Sequence, residues 1–137
     1  MLNIIYQDFK NYLQHSFPDI KIDEYRGEFE EKFPGGWNPS FPCCLIKLDE
    51  YAPLVRASSH MIIKHQAEFT LYIAEKNSLG FELIQLLIKY LNGTTLQLGP
   101  EDTEPVFPNA YSVELNSVKF FKAINSVRVH TLNISIT

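Results

Sequence analysis

The chain has 137 residues, of which 45% are hydrophobic, 13% aromatic and 20% charged, the profile of one globular domain able to bury its own core without a metal or a disulfide. Twelve Lys plus Arg against sixteen Asp plus Glu give a formal net charge of -4, a field that repels phosphate backbones and anionic lipid, so neither sequence-specific nucleic acid nor a membrane is the expected partner. The opening stretch MLNIIYQDFKNYLQHSF lacks the basic and long apolar regions of a signal peptide, and no run approaches about 18 consecutive apolar residues, so a cytoplasmic protein is expected.

Leu2, Ile5, Phe9, Tyr12 and Leu13 recur at spacings of three and four, which aligns them on one stripe of an amphipathic helix running to Phe17. Pro18 and Asp19 stop it, since proline lacks a backbone donor and disfavours helical geometry in the residue before it. Alternation over Ile20–Glu24 suggests a short strand, followed by a loop from about Gly27 to Pro42. That loop combines glycines and prolines with Phe29, Phe33, Trp37 and Phe41. Its aromatic rings must pack somewhere, either over the chain's own core, the favoured reading, or against another subunit or protein.

Cys43–Leu48 reads as a buried strand. Its two cysteines are adjacent, so a strand would point them to opposite faces, and reduced thiols acting as small hydrophobes are expected. From Ser59 to Ala74 the period-two signal is the clearest in the chain: Met61, Ile63, His65, Ala67, Phe69, Leu71 and Ile73 share one face, and Lys64, Gln66, Glu68, Thr70 and Tyr72 the other. The stretch Met61–Ile73 would reach roughly 40 Å, beyond an ordinary strand, so it bends at a bulge or projects from the domain. The second face is expected to be the less covered, with Tyr72 contributing little to stability.

Asn77 or Ser78 can cap a second helix whose stripe holds Leu79, Leu83, Leu86, Leu87, Tyr90 and Leu91, widened by Ile84 and Ile88 and closed by Asn92-Gly93. A short strand over Thr94–Leu98 and a proline-rich acidic loop over Gly99–Asn109 follow. Two strands end the chain: one shifts phase between Leu115 and Val118, and the other, Val127–Ile136, slips between Val129 and Leu132, the expected mark of a bulge. The order of elements predicts one α+β domain over residues 1–137, a mainly antiparallel sheet with two helices packed on one face.

Motifs for chemistry are sparse. The histidines are His15, His60, His65 and His130; none forms an HExxH pair and no cysteine stands at metal spacing to them. His65, in phase with the apolar face, is expected to be a hydrogen-bonded core or interface residue rather than a ligand or base. There is no GxSxG elbow, no phosphate loop and no GxGxxG turn after a strand, and the acidic clusters lack EF-hand spacing. No catalytic residue, metal or cofactor is therefore expected. Charge is uneven along the chain: Asp19–Glu31 holds six acids and two bases, whereas Tyr111–Thr137 has Glu114 against Lys119, Lys122 and Arg128. Such asymmetry suits head-to-tail contacts between copies, with Lys119, Lys122 and Arg128 of one facing Asp23, Glu28 and Glu31 of the next.

An opening helix, IKIDEYRGEFEEKFP leading into PCCLIKL, the long strand HMIIKHQAEFTLYIAEKN, a following helix and a terminal hairpin together resemble the small tail proteins of Mu-like phages and prophages, relatives of tail-terminator proteins. The resemblance spans nearly the whole chain in segment order. Its nearest motif is Tyr25-Arg26-Gly27-Glu28-Phe29, then Phe33-Pro34, with Pro42 before the strand; Trp37 and the Gly35-Gly36 pair stand outside the pattern. It implies a non-enzymatic virion component of tail-terminator fold, a homo-oligomeric ring, hexameric in the family, that ends the tail tube and meets the head connector. The alternative is a cytosolic ligand-binding or enzymatic α+β domain using a cavity between helices and sheet, with His65 and a loop carboxylate.

Overall fold

The computed structural model describes residues 2–30, 42–58, 61–76, 81–91, 95–97, 110–124 and 127–137, with side chains described over 5–30, 42–52, 66–76, 82–91, 112–123 and 127–137. The elements are α1 (Leu2–Ser16), β1 (Lys21–Glu24), β2 (Cys43–Ser58), β3 (Met61–Lys76), α2 (Phe81–Leu91), β4 (Thr95–Gln97), β5 (Ala110–Ile124) and β6 (Val127–Ile136). The strands lie in the order β1-β2-β3-β6-β5-β4. Among the described strands β1 and β2 pair in parallel and the other neighbours are antiparallel. This is an α+β fold.

The helix α1 ends where proline requires. Phe17 donates its N–H to the Leu13 carbonyl at 2.9 Å, and the chain then turns, with the Ile20 N–H on the Phe17 carbonyl at 3.2 Å. One buried cluster joins Ile5, Phe9 and Leu13 of α1, Leu83, Ile84, Leu87 and Leu91 of α2, and the strand residues Cys44, Ile46, Phe69, Leu71, Ile73, Leu132, Ile134 and Ile136. Phe9 stacks on Phe69 at 5.7 Å, and the Phe17 and Tyr90 rings meet edge-on at 5.6 Å. Leu83, Leu87 and Leu91, widened by Ile84 and Ile88, face inward as the sequence suggests, whereas Leu86 and Tyr90 are exposed and leave the stripe. The expected caps of α2 and the Gly99–Asn109 loop lie outside the described residues.

A second cluster occupies the other face of the sheet: Phe29, Cys43, Leu45, Tyr72, Ala74, Val127 and Val129, with Tyr25 packed against it. Parallel strands need a long crossover, and the connection from β1 to β2 starts across this face with an aromatic strap, Tyr25 to Glu30. Gly27 turns the chain at φ 95°, a region glycine enters without steric cost, and the Glu30 N–H on the Gly27 carbonyl at 2.9 Å closes the turn. Tyr25 then stacks on Tyr72 with ring centroids 3.8 Å apart, and Phe29 follows at 6.3 Å. Tyr72 is only 7% exposed. The expected weakly covered second face is therefore corrected: the first residues of the aromatic loop cover it. Phe33, Trp37 and Phe41 lie outside the described residues.

The same two-sided burial corrects the reading of β6. Its pairing with β3 is continuous from Ala67↔Ile136 to Lys76↔Val127, so β6 has no bulge there. Leu132, Ile134 and Ile136 belong to the helix-side cluster and Val127 and Val129 to the strap-side one. The apolar pattern slips because the two cores are offset along the strand. The register shifts fall in the partner, between Leu115 and Ser117 and between Phe120 and Lys122 of β5.

β2 and β3 run well past the rest of the sheet. β3 pairs with β6 only from Ala67 onward, whereas its residues Met61–Gln66 pair with Ala52–Ser58 of β2 alone among the described residues. At about 3.3 Å per residue this arm extends the hairpin by roughly 20 Å. The strand beginning at Cys43 thus does not end at Leu48. Asp49, Glu50 and Pro53 disguise its continuation, with register shifts between Leu48 and Glu50 and again around Val55.

Candidate functional site

The charged residues singled out by the sequence divide between the two sides of the sheet. Asp23 lies on the marginal strand β1, and β5 stands beyond β2, β3 and β6, about 19 Å away at 4.8 Å per strand. Asp23 accepts the Glu24 N–H at 2.8 Å and pairs with Lys10 at 3.5 Å and Arg26 at 3.8 Å. Burial alone would raise its pKa, but the Glu24 N–H, Lys10 and Arg26 together outweigh that and hold it below the usual carboxylate value. Glu28 accepts the Arg26 N–H at 2.5 Å. Glu31 lies outside the described residues.

On the opposite side the bulges of β5 set which way its cations point. Lys119 stands across from Thr131 and Lys122 across from Val129, whereas Arg128 of β6 stands across from Ala123 and Glu75. Since paired residues share a face, Lys119 and Lys122 lie on the strap side and Arg128 on the helix side. Lys122 Nζ donates to the Phe29 carbonyl at 2.5 Å and sits 5.7 Å over the Phe121 ring. Phe121 meets Tyr72 edge-on at 5.5 Å. Lys122 therefore anchors the end of the strap within its own chain, beside the segment that carries Glu28. Lys119 and Arg128 are exposed. Within a single chain the structure does not gather the six residues into one site.

Sequence reasoning missed the apolar part of these margins. Phe120 is 57% exposed, Val118 40% and Leu48 38%. Val118 and Phe120 pair with Leu132 and His130, and Leu48 with Phe69, so all three lie on the helix side of the sheet. The signal was the Val-Lys-Phe-Phe run, whose consecutive bulky residues cannot all turn inward in a strand. Asp49 and Glu50, on the β2 margin, were hidden by reading that strand as ending at Leu48.

The chemistry of the remaining titratable groups is that of a packed interior. Burial pushes the Cys43 thiol up to about 12 and raises that of Cys44 as well, the opposite of an activated nucleophile. His130 lies against the Phe120 ring at 5.4 Å, its pKa lowered by burial and secondarily by Arg128. Glu75, raised by burial, accepts the Leu83 N–H in the first turn of α2, a favourable place for a carboxylate. His60 and the His65 side chain lie outside the described residues. Among the described residues no group of three His, Cys, Asp or Glu could hold a metal ion, and no helix is long and apolar enough to cross a membrane. Compared with models of protein families and with curated proteins, the sequence matches none.

Proposed function

We propose that the chain is a non-enzymatic tail assembly protein of a Mu-like phage or prophage, of tail-terminator or tail-completion type. It is made in the host cytoplasm, assembles into a ring, hexameric as in the family it resembles, and joins the virion between the tail tube and the head connector. The observation that carries the reading is that the two margins of the sheet differ: exposed Asp49 and Glu50 lie on the β2 margin, and exposed Lys119, Val118 and Phe120 on the β5 margin. A surface whose two sides complement each other rather than themselves drives head-to-tail association, which closes into a ring when the rotation permits. The segment order quoted above supports the tail assignment. Interiors filled by apolar side chains on both faces of the sheet suit a scaffold whose work is done at its edges.

Electron microscopy of the purified protein, alone and mixed with tail tubes, tests this. Rings that cap tube ends and stop their growth are expected. A protein that neither forms rings nor binds tubes would overturn the reading.

A further inference from the structure

Among the described residues the sheet carries two incompletely paired margins. β1 covers β2 only over Cys43–Ile46, and β4 covers β5 only over Ala110–Ser112. Among the described residues no strand pairs with the outer edge of β2 from Lys47 onward or of β5 from Val113 onward. Such edges template pairing with another chain.

The β2 margin also holds an unanswered charge. Glu50 stands directly across from Glu68, a like-charge pair that opposes folding, and among the described residues no Lys, Arg or His lies within ion-pair distance of either carboxylate. Asp49 beside them is already engaged, by the Thr70 hydroxyl and by Lys47 at 3.9 Å. Glu68 shares the strap side with Thr70 and Tyr72, and so does Lys119 through Thr131. On the helix side, exposed Leu48 marks the first margin, and exposed Val118 and Phe120 the second. The margins therefore match on both faces, acid to base on one and apolar to apolar on the other.

We infer that β5 of one copy adds as an antiparallel strand to the β2 edge of the next, with Lys119 answering Glu50 and Glu68 and with Val118 and Phe120 covering Leu48. β2 and β5 run in opposite directions within the sheet, so copies related by rotation about an axis near the strand direction meet antiparallel and keep their helices on the same side. The two free stretches are staggered along the strands, which a ring accommodates by tilting them, as barrels do. This inference rests on the ring reading and names its interface. It gives the acidic role to Glu50 and Glu68, because Asp23 and Glu28 are engaged within their own chain.

The test is a charge swap with crosslinking in the full chain. Lys119→Glu and Glu50→Lys should each weaken association about two- to fivefold, the range for an exposed pair, and the double variant should recover it. Circular dichroism checks folding. Leu48→Cys combined with Phe120→Cys should give a ladder of oxidatively linked oligomers, while each single variant gives none; native Cys43 and Cys44 are buried. Oligomers that ignore the swaps, or a dimer linked by F120C alone, would overturn this edge contact while leaving a ring by another surface. A wild-type chain that stays monomeric throughout would overturn both the contact and the ring.

Discussion

Cys43 and Cys44 show how one strand serves two interiors. Neighbouring residues of a strand point to opposite faces, so Cys43 enters the strap-side cluster and Cys44 the helix-side one. Burial raises both thiol pKa values, and thiol reagents act through the thiolate. Both cysteines should resist a disulfide-exchange reagent in the native protein at pH 8 and react stoichiometrically once denatured; rapid native labelling of either would contradict the packing. His130 supplies a pH dependence. Its folded pKa lies below the ordinary value of 6.5, through burial first and Arg128 second. The unfolded chain therefore takes up the proton first, so this contribution to stability is present above pH 6.5 and is lost as pH falls through the folded pKa. Denaturant melts should show stability declining below about pH 6.5, and the decline should be smaller in His130→Gln, with the His130 ring resonance titrating below the ordinary value in NMR.

At the scale of elements, the two-faced sheet makes a definite claim about Tyr72. Phe69 is buried against α1 and Tyr72 against Tyr25, Phe29 and Phe121, so truncation to alanine should cost about 3–5 kcal/mol at either position. Phe29→Ala should cost a similar amount by releasing the strap. Urea melts decide: a Tyr72→Ala variant close to wild type would mean that the strap does not cover that face. The helix-side face was legible in the sequence, because α1, α2 and β3 present it with regular 3.6 and 2.0 periods in Phe9, Leu83, Phe69 and Leu71. The strap-side face was not, because Tyr25 and Phe29 belong to a segment without periodicity and Tyr72 alternates with Glu68 and Thr70 as a solvent-facing residue would. The slip in β6 was visible, but its cause, a change from one core to the other between Val129 and Leu132, depends on where covering segments end. Of the site, the cationic residues of β5 were legible as a charge excess. Their directions were not, since the bulges beside Asn116 and Phe121 decide them; Asn116 stitches its bulge to β6 through Asn133 at 2.9 Å and Ser135 at 2.7 Å.

At the scale of the whole molecule, the described residues form a long β2–β3 hairpin and leave the outer edges of β2 and β5 partly unpaired. An isolated two-stranded arm is marginally stable, and exposed edges invite aggregation unless a defined neighbour covers them. The proposed ring would give each copy such a neighbour on both sides. Because the contact includes exposed charge, added salt should loosen it, with Lys119→Glu acting in the same direction; Lys122→Glu should in addition weaken folding, since Lys122 holds the Phe29 carbonyl. The central claim, head-to-tail self-assembly, is tested most directly by light scattering after size exclusion, over a range of concentration and ionic strength. The account predicts a closed oligomer near six chain masses at low salt, shrinking as salt rises and in Lys119→Glu. A wild-type chain that remains monomeric at high concentration and low salt would contradict it.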